Sequence, residues 1–257
     1  MSAIEDRLAS FHRIGLAELN QRAALMTRKD NKYLLTGTQV LGFLGQVGDR
    51  FDALEIGGKT AFNYHSAYFD SDSLHCFRDH NQNRRKRLKV RHRHYEDTGQ
   101  FFMEVKLKGN AGETSKLRRA ITPAHFESHE LPAELDQYLK SVAKDHHQRD
   151  LPDRYRQTLQ VRYQRTTLIA QAGPERVTMD NQLHFAQGHR EMALSRSLWV
   201  VEVKSPKGVS ATDRVLKDLG ARPASLCSKY CVGLALTSHT TRSSRFTPTL
   251  KKIAALG

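Results

Sequence analysis

Charged residues recur two apart in five separate stretches of this sequence. The densest runs Arg87, Lys89, Arg91, Arg93, within a segment where seven of the ten residues from Arg84 to Arg93 are Arg or Lys. The others are Arg28/Asp30/Lys32, Glu104/Lys106/Lys108, Arg176 with Asp180, and Glu202/Lys204; Tyr163 with Arg165 adds a sixth. In a strand, residues two apart point to the same side, so each set would share a face. Four cations on one face repel one another unless water or an anion covers them. A single basic strand has a plain explanation, since lysine-rich edges discourage aggregation. Six such strands, several mixing acid and base, point instead to a surface built for a polyanion. Arg offers forked donors to phosphate, and carboxylates would hold a divalent metal that bridges phosphate oxygens.

The elements that position these residues follow from the same periodicity. Arg87 to Arg93 alternates with Leu88, Val90 and His92. After Tyr95 and the turn-like Glu96 to Gln100, Phe101 to Lys108 alternates again, which predicts a β-hairpin. Further strands are expected around 27–35, within the aromatic stretch 60–77, and over 155–170, 176–180 and 198–204. Helical spacing predicts helices over 4–25 (two pieces broken near Gly15), 38–47, 123–148, 211–220 and 224–238. Residues 78–83 and 109–120 look like loops, and 240–257 like a basic, disordered tail. An α+β fold follows, in which a closed antiparallel β-barrel turns its charged faces into a polar lumen and helices pack outside. Residues 1–239 would form that single domain.

The chain has 257 residues, is 39% hydrophobic, and carries a formal net charge of +14 with a pI near 9.9. That length suits one large domain or two small ones. No apolar run approaches the roughly 18 residues a spanning helix needs, and the N-terminus lacks the apolar core of a signal peptide, so a cytoplasmic protein is expected. The three cysteines, Cys76, Cys227 and Cys231, form no CxxC pair and indicate neither a disulfide framework nor a zinc site. The charge calls for an anionic partner: nucleic acid, a membrane surface or a phosphate-rich small molecule. An RNA module would interleave exposed aromatics with its basic residues. Acids are interleaved here, so no specific nucleic-acid partner is expected.

Seven short motifs, in order, carry a family resemblance. They are Arg28-x-Asp30-x-Lys32-Tyr33, Tyr68-Phe69-Asp70, Lys89 to Tyr95, Met103 to Lys106, Tyr163 to Thr166, Val200 to Lys204, and Ser228-Lys229-Tyr230. Over about residues 20 to 236 the sequence resembles VTC (vacuolar transporter chaperone) domains, relatives of the triphosphate tunnel metalloenzymes and CYTH phosphatases. The resemblance implies a tunnel of about eight antiparallel strands. It also implies a polyphosphate polymerase that moves the γ-phosphate of ATP onto a polyphosphate chain with Mn²⁺ or Mg²⁺. It implies phosphate-binding roles for Lys32, Arg91, Arg93, Lys106, Arg165 and Lys229, with Arg28, Lys89, Lys204 and Tyr163 as weaker carry-overs. Glu202 becomes the leading metal ligand, with Asp30, Glu104 and Asp180 behind it. Two departures stand out. Asp30 replaces a more usual Glu and reaches one methylene less far, and Leu226 occupies a place where eukaryotic members carry another Lys. With no SPX-like domain before it and no membrane segment after it, the domain looks like a stand-alone bacterial type; a membrane protein could receive its product.

Three functions compete. Transfer to a chain-end phosphate needs positioning and charge neutralisation rather than a strong base. A triphosphatase on the same scaffold would need an acid to orient water, for which Glu104 and Asp30 are the candidates. A non-catalytic polyphosphate or RNA binder is the third. Simpler roles suit other residues: Arg84-Arg85-Lys86 as a solvated loop, with guidance of polyphosphate to a tunnel mouth as the alternative, His92 and His94 facing away from the lumen, Trp199 and Tyr95 as packing, and His146-His147 as a polar helix end; Asp180 is open between metal support and an internal salt bridge.

Overall fold

The computed structural model describes residues 3–23, 29–109, 114–152, 154–206, 208–238 and 243–256. In chain order the elements are α1 (Ala3–Ala9), β1 (His12–Ile14), α2 (Leu16–Ala23), β2 (Lys29–Thr36), α3 (Gly37–Val47), β3 (Phe51–Leu54), β4 (Ala61–Asp70) and α4 (His75–Asn81). The hairpin β5 (Arg87–Tyr95) and β6 (Gln100–Lys108) follows, then β7 (Thr114–Ala120), α5 (Pro123–Glu127) and α6 (Ala133–His147). The rest comprises β8 (Arg156–Ala170), β9 (Arg176–Gln187), β10 (Arg190–Ala193), β11 (Leu198–Ser205), α7 (Ala211–Asp218), α8 (Lys229–Thr237) and α9 (Thr247–Leu256).

One sheet of 11 strands dominates, ordered β2-β11-β9-β8-β4-β5-β6-β7, with every neighbouring pair along this path antiparallel. Its end strands, β2 and β7, do not pair with each other among the described residues. The closed barrel of about eight strands expected from the sequence is therefore incorrect: the sheet is open. It is nonetheless strongly curled. Lys106 on β6 lies 3.9 Å from Asp30 on β2, although six strand spacings of ~4.8 Å, about 29 Å if flat, separate them along the sheet. Side chains bridge the concave face where the backbone ladder leaves a gap.

The alternation sorts residues as the strand period requires. On the outer face of β4, β5 and β6, Ala67, Phe69, Leu88, Val90, Met103, Val105 and Leu107 are buried with Phe126 of α5 and Leu135, Leu139 and Val142 of α6. On the outer face of β2, β9 and β11, Tyr33, Leu35, Val177, Met179, Val201 and Val203 pack under Phe43, Leu44 and Leu8 of α3 and α1. Burying these rows leaves the alternate, charged rows on the concave side. Helix α8 closes down on that side. Its Gly233 sits against Phe185 and Leu159, and Tyr230 stacks on Tyr68 with ring centroids 5.1 Å apart.

Several local expectations need correcting. Residues 114–120 are a strand rather than loop, because they extend the β5–β6 hairpin edge. The segment 123–148 is two helices separated by residues 128–132, with Pro132 at the start of the second, where its missing N–H costs nothing. Between the N-terminal helices lies β1, parallel to β3. The last helix of the domain begins at Lys229, with the Ser228 side chain accepting from the Cys231 amide, rather than at 224. The tail expected to be disordered is helical over Thr247–Leu256, with Phe246 and Ile253 buried in the main core. No described helix is long and apolar enough to cross a membrane.

Candidate functional site

Strand register decides which charges meet on the concave face. Arg91 lies opposite Glu104, whose side chain is almost wholly buried. Arg91 donates from Nε (2.8 Å) and Nη2 (2.5 Å) to Glu104 Oε2, and from Nη1 to the Tyr68 hydroxyl at 3.0 Å. Lys116 on β7 donates to Oε1 at 3.3 Å, and Arg93 lies 3.8 Å away. Burial alone would raise the Glu104 carboxyl, but Arg91, Arg93 and Lys116 hold it well below the usual carboxylate range. Arg93 donates from Nη2 to the Tyr163 hydroxyl at 2.7 Å and from Nε to Ser66 Oγ at 3.3 Å.

A second buried acid, Asp180, faces Arg165 across the β8–β9 pair. The guanidinium makes a forked contact, Nε to Oδ1 at 2.5 Å and Nη2 to Oδ2 at 2.7 Å. Lys229, the first residue of α8, also pairs with Oδ2 and sits 4.6 Å from the Tyr163 ring centroid. Here too burial works to raise the carboxyl, and Arg165 and Lys229 overcome it and lower the pKa.

The third group is looser. Glu202 and Asp30 stand on adjacent strands, β11 and β2, where Glu202 opposes Lys32 and Lys204 opposes Asp30. Lys204 lies 3.5 Å from Glu202 and 3.8 Å from Asp30; Lys32 lies 4.0 Å from Glu202, and Lys106 lies 3.9 Å from Asp30. Lys89 opposes Lys106, not an acid, and its ammonium has no ion-pair or hydrogen-bond partner among the described residues. Burial pushes the Lys89 ammonium down to about 8, helped by Lys32, Lys106 and Arg87. Lys204 is likewise pushed down to about 8 by burial, against the pull of Glu202 and Asp30.

The charge balance follows. Lys32, Lys89, Arg91, Arg93, Lys106, Lys116, Arg165, Lys204 and Lys229 set nine positive charges against the four of Asp30, Glu104, Asp180 and Glu202. An excess of five cations gathered on one concave, largely half-buried face is costly without an anion. Arg87, Lys89, Arg91 and Arg93 alone span about 20 Å of β5, long enough to track a chain of phosphates.

No group of three or more His, Cys, Asp or Glu side chains among the described residues could cage a metal ion. The four candidate acids differ, however. Glu104 and Asp180 are saturated by close pairs, whereas Glu202 and Asp30 meet only lysines at 3.5 Å or more. Two loosely held carboxylates fit a hard cation such as Mg²⁺ or Mn²⁺ that takes its remaining ligands from substrate oxygens and water. Glu202 would be the nearer ligand and Asp30, shorter by one methylene, its partner.

The face thus gathers Lys32, Lys89, Arg91, Arg93, Lys106, Arg165, Lys204, Lys229, Tyr163 and the four acids, while Arg28 lies outside the described residues. Leu226 turns the chain in a left-handed conformation (φ 61°) just before α8 and is partly buried against the main core. His92 and His94 face the other way, against Phe69 and Phe101. Sequence reasoning missed Lys116 as a site residue because 109–120 resembled loop. The Lys116-Leu117-Arg118 alternation was the available signal, and β7 places Lys116 opposite Lys106 and Arg118 opposite Glu104. It also missed the reason for Tyr68-Phe69-Asp70. The Tyr68 hydroxyl accepts from Arg91, while Asp70 accepts from the Cys76 and Phe77 amides and the Tyr230 hydroxyl, tying α4 to α8.

Among curated proteins none matches the sequence. Solved structures to which this chain is similar include a protein from Pyrococcus horikoshii (14% identity, TM-score 0.44, covering 83% of this chain and 99% of that one). Another is a Hippeastrum protein described as a candidate adenylyl cyclase with a dominant triphosphatase activity (12%, TM-score 0.48, covering 84% and 98%). A third is a candidate adenylate cyclase from Vibrio parahaemolyticus (12%, TM-score 0.40, covering 75% and 83%). The VTC domain family model matches residues 27–238, a span that begins just before Asp30 and takes in every charged residue of the concave face through Lys229, so this chain belongs to the VTC domain family.

Proposed function

We propose that this protein is a polyphosphate polymerase that transfers the γ-phosphate of ATP to the end of a polyphosphate chain held along the concave face. Family membership supports a phosphate-related function. The excess of cations over carboxylates on one face carries the finer reading: such a charge balance suits several linked phosphates better than one orthophosphate.

The roles follow from the pairing. Arg91, Arg93 and Arg165 are oriented by fixed partners, so their remaining donors are pre-organised for phosphate oxygens and lose little freedom on binding. Lys89 has no carboxylate partner among the described residues, and Lys32, Lys106 and Lys204 meet theirs only at 3.5–4.0 Å, so these four gain most from an anion. Lys229 is delivered by α8 and adds a charge beside Arg165. Holding donor and acceptor phosphates in one row supplies the in-line geometry that transfer requires. A bound divalent cation would neutralise phosphate oxygens beside Glu202 and Asp30. The acceptor phosphate is already anionic, so no general base is needed.

A triphosphatase is the second reading, favoured by one observation. Asp30, unlike Glu104, has no contact shorter than 3.8 Å to a cation and is free to orient a water molecule. The test is incubation with ATP and Mn²⁺, with products resolved on a gel stained for polyphosphate and free orthophosphate assayed in parallel. Polymer that an exopolyphosphatase digests is the expected result. Orthophosphate without polymer would make the protein a triphosphatase, and tight polyphosphate binding without turnover would make it a binder.

A further inference from the structure

Beyond the concave face, the molecule has a pocket of about 280 Å³ lined by His75, Arg78, Asp79, Gln82, Arg84 and Arg149. Three elements build it. Helix α4 supplies His75, Arg78 and Asp79. The chain then turns at Asn83 (φ 54°) and returns Arg84 toward the helix, its amide donating to the Asp79 carbonyl at 2.9 Å. Helix α6 ends at Gln148 in a left-handed conformation (φ 50°), which swings Arg149 to Asp79 at 2.8 Å. Asp79 is buried and serves both Arg149 and Arg84, the latter at 3.3 Å, while Arg84 also donates to Gln82 Oε1 at 2.8 Å.

One carboxylate faces three guanidinium groups. Asp79 holds Arg84 and Arg149 in place and leaves two positive charges uncompensated. The Arg78 side chain is exposed and has no ion pair or hydrogen bond among the described residues. Burial keeps His75 neutral at pH 7 by lowering its pKa, with Arg149 and Arg78 opposing protonation and Asp79 favouring it. Pre-organised guanidiniums in a concave pocket, in excess of the acid that arranges them, make an anion site.

Its position names the anion. Arg87, the first cation of the β5 row, donates to the Arg84 carbonyl, which joins the row to the pocket. Lys86 donates to the His147 carbonyl at 2.9 Å, tying the end of α6 to the same corner. The basic segment Arg84 to Arg93 therefore runs from the pocket directly into the phosphate-binding row.

We propose that this pocket is a second phosphate site, which grips a distal part of a polyphosphate chain whose end lies on the concave face. The proposal rests on the reading that the concave face holds polyphosphate. It implies that long chains, which can occupy both sites at once, bind more tightly than tripolyphosphate.

Calorimetry on the whole chain with three probes tests this: tripolyphosphate, a polyphosphate several dozen phosphates long, and orthophosphate. Two variants are compared with the parent. Arg78→Ala with Arg84→Ala removes two pocket cations, and Gln82→Glu adds a negative charge in nearly the same shape while keeping the acceptor for Arg84. Both should weaken long-chain binding about tenfold and leave tripolyphosphate binding within about twofold, with thermal unfolding reporting that Gln82→Glu stays folded. Equal long-chain affinity in parent and Gln82→Glu would overturn the pocket proposal. So would orthophosphate binding that the variants abolish without any effect on long chains, which would mark an independent small-anion site. A parent that binds neither tripolyphosphate nor long chains would instead sink the reading of the concave face itself.

Discussion

Glu104 and Glu202 are both carboxylates of the charged face, yet their surroundings assign them different work. Glu104 is buried and neutralises Arg91, Lys116 and Arg93. Glu104→Gln would leave those cations without their acid and should destabilise the protein by about 3 kcal/mol, measured by urea unfolding. Glu202→Gln should keep the fold, because its lysines are 3.5 Å or more away, and should abolish metal-dependent turnover. If both variants unfold alike, Glu202 is structural. The lysines give a pH signature. Lys89 and Lys204 titrate near 8, well below the ordinary value of 10.5. The unfolded chain keeps those protons to higher pH. These two groups therefore make the ligand-free protein more stable as pH rises from about 8 to 10.5, and their full penalty applies below 8. Loss of the same protons weakens anion binding. Tripolyphosphate affinity should fall about tenfold per lost contact above pH 8 while the ligand-free melting temperature holds or rises. Lys89→Met should flatten both trends, and parallel pH profiles in parent and variant would refute the assignment.

At the level of elements, α8 matters most. It delivers Lys229 to Asp180 only because the chain has no side chain at Gly233. A Cβ there would lie 2.5 Å from Phe185 and 2.6 Å from Leu159, closer than packed carbons approach. Gly233→Ala should therefore cost about 1–3 kcal/mol through overpacking, seen as a lowered urea midpoint. It should also loosen tripolyphosphate binding by displacing Lys229, despite alanine being the better helix former. Unchanged stability and affinity would show that α8 adjusts freely. Strand β7 is the other decisive element: without it, Glu104 would lose Lys116, and the β6 edge would lie open.

Across the whole molecule, the curl of an open sheet brings β2 and β6 together through Asp30, Lys106 and Lys204. Asp30→Ala removes a carboxylate from a cation-rich gap. With chelator present, tripolyphosphate should bind several-fold more tightly than to the parent, since repulsion is relieved only by the ligand. With Mn²⁺ present, the variant should lose that advantage and its turnover, because a cation ligand is gone. Calorimetry in both conditions separates the two effects; a change of the same sign in each would show that Asp30 has no part in holding metal.

The sequence by itself determined which residues share a face. Side-chain direction in a strand depends only on the local period, so Arg87 to Arg93, Glu104 with Lys106, and Glu202 with Lys204 were legible without any fold, as was the hairpin that joins the first two sets. The net charge and motif order were equally local, and they sufficed for the family. The pairing of charges was not, because it depends on register between strands distant in sequence. Only the tertiary structure decided that Glu104 and Asp180 are consumed by arginines and lysines while Glu202 and Asp30 stay loosely held. Only it recruited 114–120 as a strand and packed Phe246 and Ile253 of the tail into the core. Closure was the furthest from view. Whether the end strands of a curled sheet meet is set by twist and curvature accumulated over every intervening pair. The charged strands of the path from β2 to β6 were readable; β7, and the gap between it and β2, were not.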